Sequence, residues 1–182
     1  LDEPDDWIIM ENLMFKHIIN KSFSKKDIKL FISDVDGVMT DAGMYYTEKG
    51  DEIKKFNTHD GMAFQILRDS GIKTAIITSE NTKIVKNRAD KLKVDFLYQG
   101  KQNEGKLGAA KQICKEMGIS LCEVAYIGDD VNCFELLSNV GVKACPSNAR
   151  SKIKQIPGII LLKTKGGGGA VREFLEYLKL ND

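Results

Sequence analysis

The chain has 182 residues, close to one domain by the usual range of roughly 100–200 residues. With 42% hydrophobic, 8% aromatic and 29% charged residues it has the make-up of a soluble globular chain, which excludes disordered, collagen-like and coiled-coil classes. Lys and Arg total 27 against 26 Asp and Glu, so a net charge of +1 offers no field that would draw the protein to nucleic acid or anionic lipid, and any partner must be recognised by a local site.

In chain order, residues 4–20 open with Pro4 and two aspartates and then repeat apolar residues at three- and four-residue spacing, from Trp7 to Ile19, which predicts an amphipathic helix. The polar, basic stretch 21–26 reads as a linker, so the expected division is 1–26, helix and linker, and 27–182, the main domain. A chain that starts on Leu1 reads as a trimmed piece of a longer one. From Asp27 onward short apolar runs alternate with helical windows. Strands are expected at Ile28–Ser33, Lys73–Thr78, Phe96–Tyr98, Val124–Ile127, Val142–Ala144 and Ile159–Leu162. Helices are expected near 59–70, 81–92, 104–117, 132–139 and 147–155. Continuous apolar strands between helices belong to a parallel sheet covered on both faces, so the expected class is a doubly wound α/β fold.

One segment breaks the alternation. Met44–Tyr46 and Glu52–Phe56 flank Thr47–Asp51, which contains Gly50, and together they predict a hairpin inserted after the first strand. Near the end, Gly166–Gly169 reads as a flexible run ahead of a last helix from Ala170 to about Leu180. Cys114, Cys122, Cys133 and Cys145 form no CxxC pair, and with only His17 and His59 available they read as reduced, packing thiols rather than a zinc site or disulfides. The longest apolar stretches fall far short of the ~20 residues of a membrane span, and no signal segment opens the chain, so a cytoplasmic location is expected.

The sharpest signal is Asp34-Val35-Asp36-Gly37-Val38-Met39-Thr40, directly after the first strand, where open α/β sheets bind ligands. A second acidic cluster, Gly128-Asp129-Asp130, follows another strand. Acidic groups converging from two strand ends repel each other unless a cation sits between them, and hard oxygens with room for a phosphate suit Mg²⁺. Thr78 closes a third strand and its hydroxyl would donate to a phosphate oxygen, while Lys106 opens a helix and offers a cation to the same group.

The order DxDGV, Thr, Lys, GDD across roughly residues 28–133 resembles the haloacid dehalogenase-like phosphatases. The resemblance implies that Asp34 is the nucleophile, that Asp36 is the general acid/base, and that Thr78 and Lys106 hold the transferring phosphoryl group. It further implies Mg²⁺ held by Asp34, the backbone carbonyl of Asp36 and Asp129, with Asp130 in support. One departure stands out: members often carry an acid four residues after the first Asp of the last motif, where this chain has Cys133.

Only about 20 residues separate Asp36 from the next helix, room for the hairpin and not for a cap domain. The chain is similar to the capless branch acting on 3-deoxy-octulosonate 8-phosphate and nine-carbon ketodeoxy sugar-acid 9-phosphates, which implies a homotetramer through the 43–56 hairpin. Octulosonate phosphatases tend to follow the strand-end Thr with Gly-Arg. This chain has Ser79-Glu80, which with Lys91 resembles the nine-carbon branch, so Glu80 would meet sugar hydroxyls and Lys91 would pair with Glu80 or with a substrate carboxylate. Arg172 would reach an anionic substrate or pair with Glu176, four residues on. Residues 1–7 with the following helix look like the closing segment of acylneuraminate cytidylyltransferases, which implies a fusion coupling dephosphorylation to CMP activation. The expected activity is therefore hydrolysis of a nine-carbon 9-phosphate, the alternatives being an octulosonate 8-phosphate or a non-catalytic oligomerisation module.

Overall fold

The computed structural model describes residues 28–101 and 105–178. The predicted helix over 4–20 and its linker lie outside the described residues. In chain order the elements are β1 (Leu30–Ser33), β2 (Tyr45–Tyr46), β3 (Glu52–Ile53), α1 (Thr58–Asp69), β4 (Lys73–Ile77), α2 (Lys83–Leu92), β5 (Phe96–Tyr98), α3 (Gly105–Met117), β6 (Val124–Ile127), α4 (Phe134–Asn139), β7 (Val142–Cys145), α5 (Ser151–Lys154), β8 (Ile160–Leu161) and α6 (Ala170–Tyr177). Six strands form one sheet in the order β5-β4-β1-β6-β7-β8. All its pairings are parallel, and β2 and β3 make a separate antiparallel pair.

Alternation along each strand assigns its side chains to the two faces. Phe31, Ile76, Ala125 and Ile127 pack with α1, α2 and α6, and Leu30, Ile32, Ala75, Ile77, Val124 and Tyr126 pack with α3, α4 and α5. Phe31 lies edge-on to Phe64 of α1 at 6.3 Å and tilted against Phe174 of α6 at 5.4 Å. Each such fully buried side chain contributes about 1.5–3 kcal/mol, and all four residues of β1 are buried. It also pairs on both edges, with β4 and β6, so whatever follows Ser33 is held on a rigid base. The chain winds from β1 out to β5 on one side and from β6 to β8 on the other, which puts the crevice for a ligand at the carboxyl ends of β1 and β6.

Several predicted elements differ in extent. The helix expected over 147–155 shrinks to α5, because Pro146–Arg150 folds as a turn: Pro146 O accepts from Ala149 N at 3.0 Å, and Arg150 N donates to Asp129 O at 2.9 Å. The helix expected over 132–139 begins as a 3-10 turn, Val131–Cys133, before α4. The hairpin strands are two residues each, and Met44, Tyr45, Tyr46 and Ile53 stand exposed on it.

The Gly166–Gly169 run is packed rather than flexible. Gly166, Gly167 and Gly169 are buried. A Cβ on Gly166 would collide with the carbonyl of Gly37 and lie 2.9 Å from that of Thr40. Gly167 N donates to Val38 O at 2.9 Å, Gly166 N to the Asn148 side chain at 2.8 Å, and Asn57 Nδ2 to Gly167 O at 3.2 Å. Glycine is needed there for close backbone approach, and the segment braces the loop that follows β1. Beyond it, the Asp60 carboxylate receives the N–H of Arg172 at 3.0 Å and so caps the start of α6. Burial lifts the pKa of Asp60 to about 6, against the opposing pull of the Arg172 and Val171 N–H groups and of Arg88.

Candidate active site

Three adjacent strands end at the same edge of the sheet. Asp34 follows β1, and its N–H still pairs with Ile127 O of β6 at 3.1 Å, so the ladder fixes its backbone. The chain then turns tightly: Val38, Met39 and Thr40 all donate their N–H groups to Val35 O, at 3.3, 2.8 and 3.1 Å. Gly37 makes that turn with φ +79°, and a Cβ there would strike the carboxylate of Asp129. The position needs glycine for its backbone and for its neighbour. Asp129 follows β6, and Thr78 follows β4 with its N–H on Tyr98 O at 2.9 Å.

Lys106, in the first turn of α3, is fully buried. Its Nζ lies 2.5 Å from Asp34 Oδ2 and 3.3 Å from Cys133 Sγ, and that thiol lies 2.9 Å from the same Asp34 oxygen. The other oxygen, Oδ1, accepts the Val35 N–H at 2.8 Å. One ligand-capable atom each from Asp34, Asp129 and Cys133 fall within 4.8 Å of one another. Burial alone would lower the Lys106 pKa, but the charge of Asp34 outweighs it and holds the ammonium above the usual lysine value. Asp129 is pushed up to about 7, first by burial and then by the charges of Asp34 and Asp130. Burial, with Asp34 beside it, drives the Cys133 thiol up to about 12, so it stays neutral.

The balance is therefore two carboxylates against one ammonium in a secluded place, with Asp129 resisting ionisation. A divalent cation would relieve that excess, and two converging hard oxygens fit Mg²⁺. Cys133 is the softest of the three donors, and its position is not the plain packing expected from the sequence.

Asp36 lies beside this cluster. Its Oδ1 is 2.5 Å from Lys54 Nζ and 3.4 Å from Thr40 Oγ1, whereas Oδ2 is buried with no hydrogen-bond partner among the described residues. Lys54 leaves β3 with its side chain only 1% exposed and also pairs with Glu52 at 3.0 Å. Burial pulls its pKa down, and the bonds to Asp36 and Glu52 more than offset that, leaving it raised.

The other expected site residues are placed as follows. Thr78 is buried, and its Oγ1 accepts the Glu80 N–H at 3.3 Å. Asp130 is turned outward: Oδ1 caps the 3-10 turn through Val131 N at 2.6 Å and Oδ2 is 4.0 Å from Arg150 Nε, so it stands outside the converging group. Glu80 is exposed two residues beyond Thr78. Lys91 is exposed in the last turn of α2, the end that leads back to the start of β5, and among the described residues no ion pair joins it to Glu80. Arg172 Nε pairs with Glu176 at 2.7 Å, the second of its two expected arrangements. Reading the sequence missed Lys54. Its only signal was the alternation Glu52-Ile53-Lys54, which puts two opposite charges on one face of a strand whose other face exposes Ile53.

A family model described as haloacid dehalogenase-like hydrolase matches residues 48–141. The 3-deoxy-D-manno-octulosonate 8-phosphate phosphatase KdsC of Yersinia pestis is 36% identical over 154 residues, spanning 85% of this chain and 81% of that protein. The crystal structure of 3-deoxy-D-manno-octulosonate 8-phosphate phosphatase from Moraxella catarrhalis, in complex with magnesium ion, phosphate ion and KDO molecule, aligns with a TM-score of 0.82 at 34% identity, over 91% of this chain and 92% of that one. The cobalt-bound deoxy-D-mannose-octulosonate 8-phosphate phosphatase (YrbI) from Haemophilus influenzae aligns with a TM-score of 0.79 at 29% identity, over 86% and 90% of the two chains. With carboxylates gathered at the carboxyl ends of a six-stranded parallel sheet, and with these matches, the chain belongs to the haloacid dehalogenase-like hydrolase family. Within that family it is a phosphatase of the KdsC/YrbI type, a phosphoric monoester hydrolase.

Proposed function

We propose that the chain hydrolyses 3-deoxy-D-manno-octulosonate 8-phosphate with Mg²⁺ as cofactor. One observation carries the chemistry: Asp34, Asp129 and Lys106 meet in one buried place beside Asp36. The 36% identity over 85% of the chain to a phosphatase of that substrate supports the choice of sugar acid. Asp34, Asp129 and the backbone carbonyl of Asp36 would hold Mg²⁺, whose charge would neutralise phosphoryl oxygens. In the first step an Asp34 oxygen attacks phosphorus, the bond from phosphorus to the sugar oxygen breaks, and Asp36 gives that oxygen its proton. In the second, Asp36 takes a proton from water, the water oxygen attacks phosphorus, and the bond to Asp34 breaks. Thr78 and Lys106 hold the phosphoryl group in both.

A nine-carbon 9-phosphate is the second reading, favoured by Glu80 at the carboxyl end of β4 and by the likeness of residues 1–7 to a cytidylyltransferase tail, with 1–26 as a unit apart from 27–182. We also read the exposed Met44, Tyr45, Tyr46 and Ile53 as the contact through which copies associate as a homotetramer. The test is phosphate release with and without Mg²⁺, comparing kcat/KM on the two sugar-acid phosphates. The eight-carbon ester is expected to be preferred, and Asp34→Asn to abolish turnover on either. An Asp34→Asn variant with wild-type turnover would refute the mechanism.

A further inference from the structure

Asp36 is an acid/base with one oxygen occupied and one left over. Its Oδ1 is fixed by Lys54 at 2.5 Å and by Thr40 at 3.4 Å, and its Oδ2 is enclosed without a partner among the described residues. A carboxylate held at both oxygens would be poorly placed to exchange a proton, and one held at neither would rotate about its last torsion. Fixing one oxygen determines where the other lies. The fixing group comes from elsewhere in the chain, 18 positions on, at the exit of the hairpin. Lys54 is itself held in place: its side chain is 1% exposed, and its ammonium also forms an ion pair with Glu52 at 3.0 Å.

We infer that Lys54 is a positioning residue of the reaction, one that anchors Oδ1 of Asp36 from the hairpin and leaves Oδ2 as the oxygen that passes the proton to the departing sugar alkoxide. The inference depends on the phosphatase reading above, and it divides the hairpin into two faces. One carries Tyr45 and Ile53, which pair across the two strands, and the other carries Glu52 and Lys54 to the acid/base.

A purely structural ion pair would have a different signature from a positioning one, and the leaving group separates them. A sugar alkoxide needs a proton as it departs, whereas p-nitrophenolate leaves without one. The experiment measures single-turnover release of sugar from 3-deoxy-D-manno-octulosonate 8-phosphate and of p-nitrophenol from p-nitrophenyl phosphate. It uses the full chain with saturating Mg²⁺, as wild type, Lys54→Met and Lys54→Arg. Lys54→Met is expected to slow sugar release by ~100-fold or more, the scale of general acid catalysis, and to leave p-nitrophenol release within about threefold. Lys54→Arg, which still donates to a carboxylate, is expected to recover most of the sugar-ester rate. If Lys54→Met does not fold by circular dichroism, Lys54→Gln is read in its place. An equal loss on both esters, or none on either, overturns the inference while the phosphatase reading stands. A wild-type chain inactive on both esters overturns the two together.

Discussion

Gly37→Ala tests the assembly of the site through a single methyl group. At φ +79° an L-residue costs roughly 1–2 kcal/mol of backbone strain. For a chain of this size that lowers Tm by about 2–8 °C. Gly71 provides the control, since it has φ +76° and no atom of the described residues within 4 Å of an added Cβ, so Gly71→Ala should show the strain alone. At Gly37 the new carbon would also strike the Asp129 carboxylate, which must move by an ångström or more. A displacement of that size in a proposed metal ligand is expected to cost on the order of 100-fold in rate. The expected result is a pair of variants with similar melting temperatures, of which only Gly37→Ala loses Mg²⁺ affinity by titration calorimetry and about 100-fold in kcat. Equal Mg²⁺ affinity and turnover in the two would refute the contact between the first loop and Asp129.

The charge on Asp60 links stability to pH. Its pKa is raised from 3.8 to about 6 by burial, so the folded chain holds this proton more tightly than the unfolded one. The stability it contributes is complete below 3.8 and is lost as pH rises through 6, about 3 kcal/mol across that window. Denaturant melts at pH 4 and 7 should show a smaller difference in Asp60→Asn than in wild type, and identical differences would remove Asp60 as the cause. Lys106→Met leaves Asp34 buried and unpaired and should cost roughly 3–5 kcal/mol by urea melts, with turnover lost. A loss under about 1 kcal/mol would show the pair to be solvated. Cys133→Asp replaces a neutral thiol with a carboxylate beside the proposed metal ligands Asp34 and Asp129 and should tighten Mg²⁺ binding about tenfold by calorimetry; weaker binding would show that like-charge repulsion with Asp34 outweighs the gain.

The sheet was legible because its strands are buried on both faces, and runs such as Leu30–Ser33 and Val124–Ile127 have no amphipathic alternative. The convergence of Asp34, Asp129 and Lys106 followed from the same fact, since each sits where an apolar run stops or a helix starts. What escaped the sequence depended on distance across the fold. Four glycines in a row have one composition whether they swing freely or lie wedged against the backbone of Gly37 and Thr40, and only the tertiary contact tells the cases apart. Lys54 in a short polar hairpin looks like any solvated lysine until the hairpin folds over Asp36. The helix expected at 147–155 lost its first turn because the N–H of Arg150 goes to Asp129 O, a partner far away in sequence. Cys133 read as an apolar filler because a thiol shows its character only through the groups it faces.

The wedge formed by Gly166 and Gly167 also sets an order of events during synthesis. Every residue proposed to do chemistry, from Asp34 to Asp129, leaves the ribosome ahead of the backbone that supports the first loop from behind. A nascent chain halted before Gly166 would carry a full complement of reactive groups and still lack the wall that shapes them. Competence would then switch on late and abruptly, when that last stretch docks.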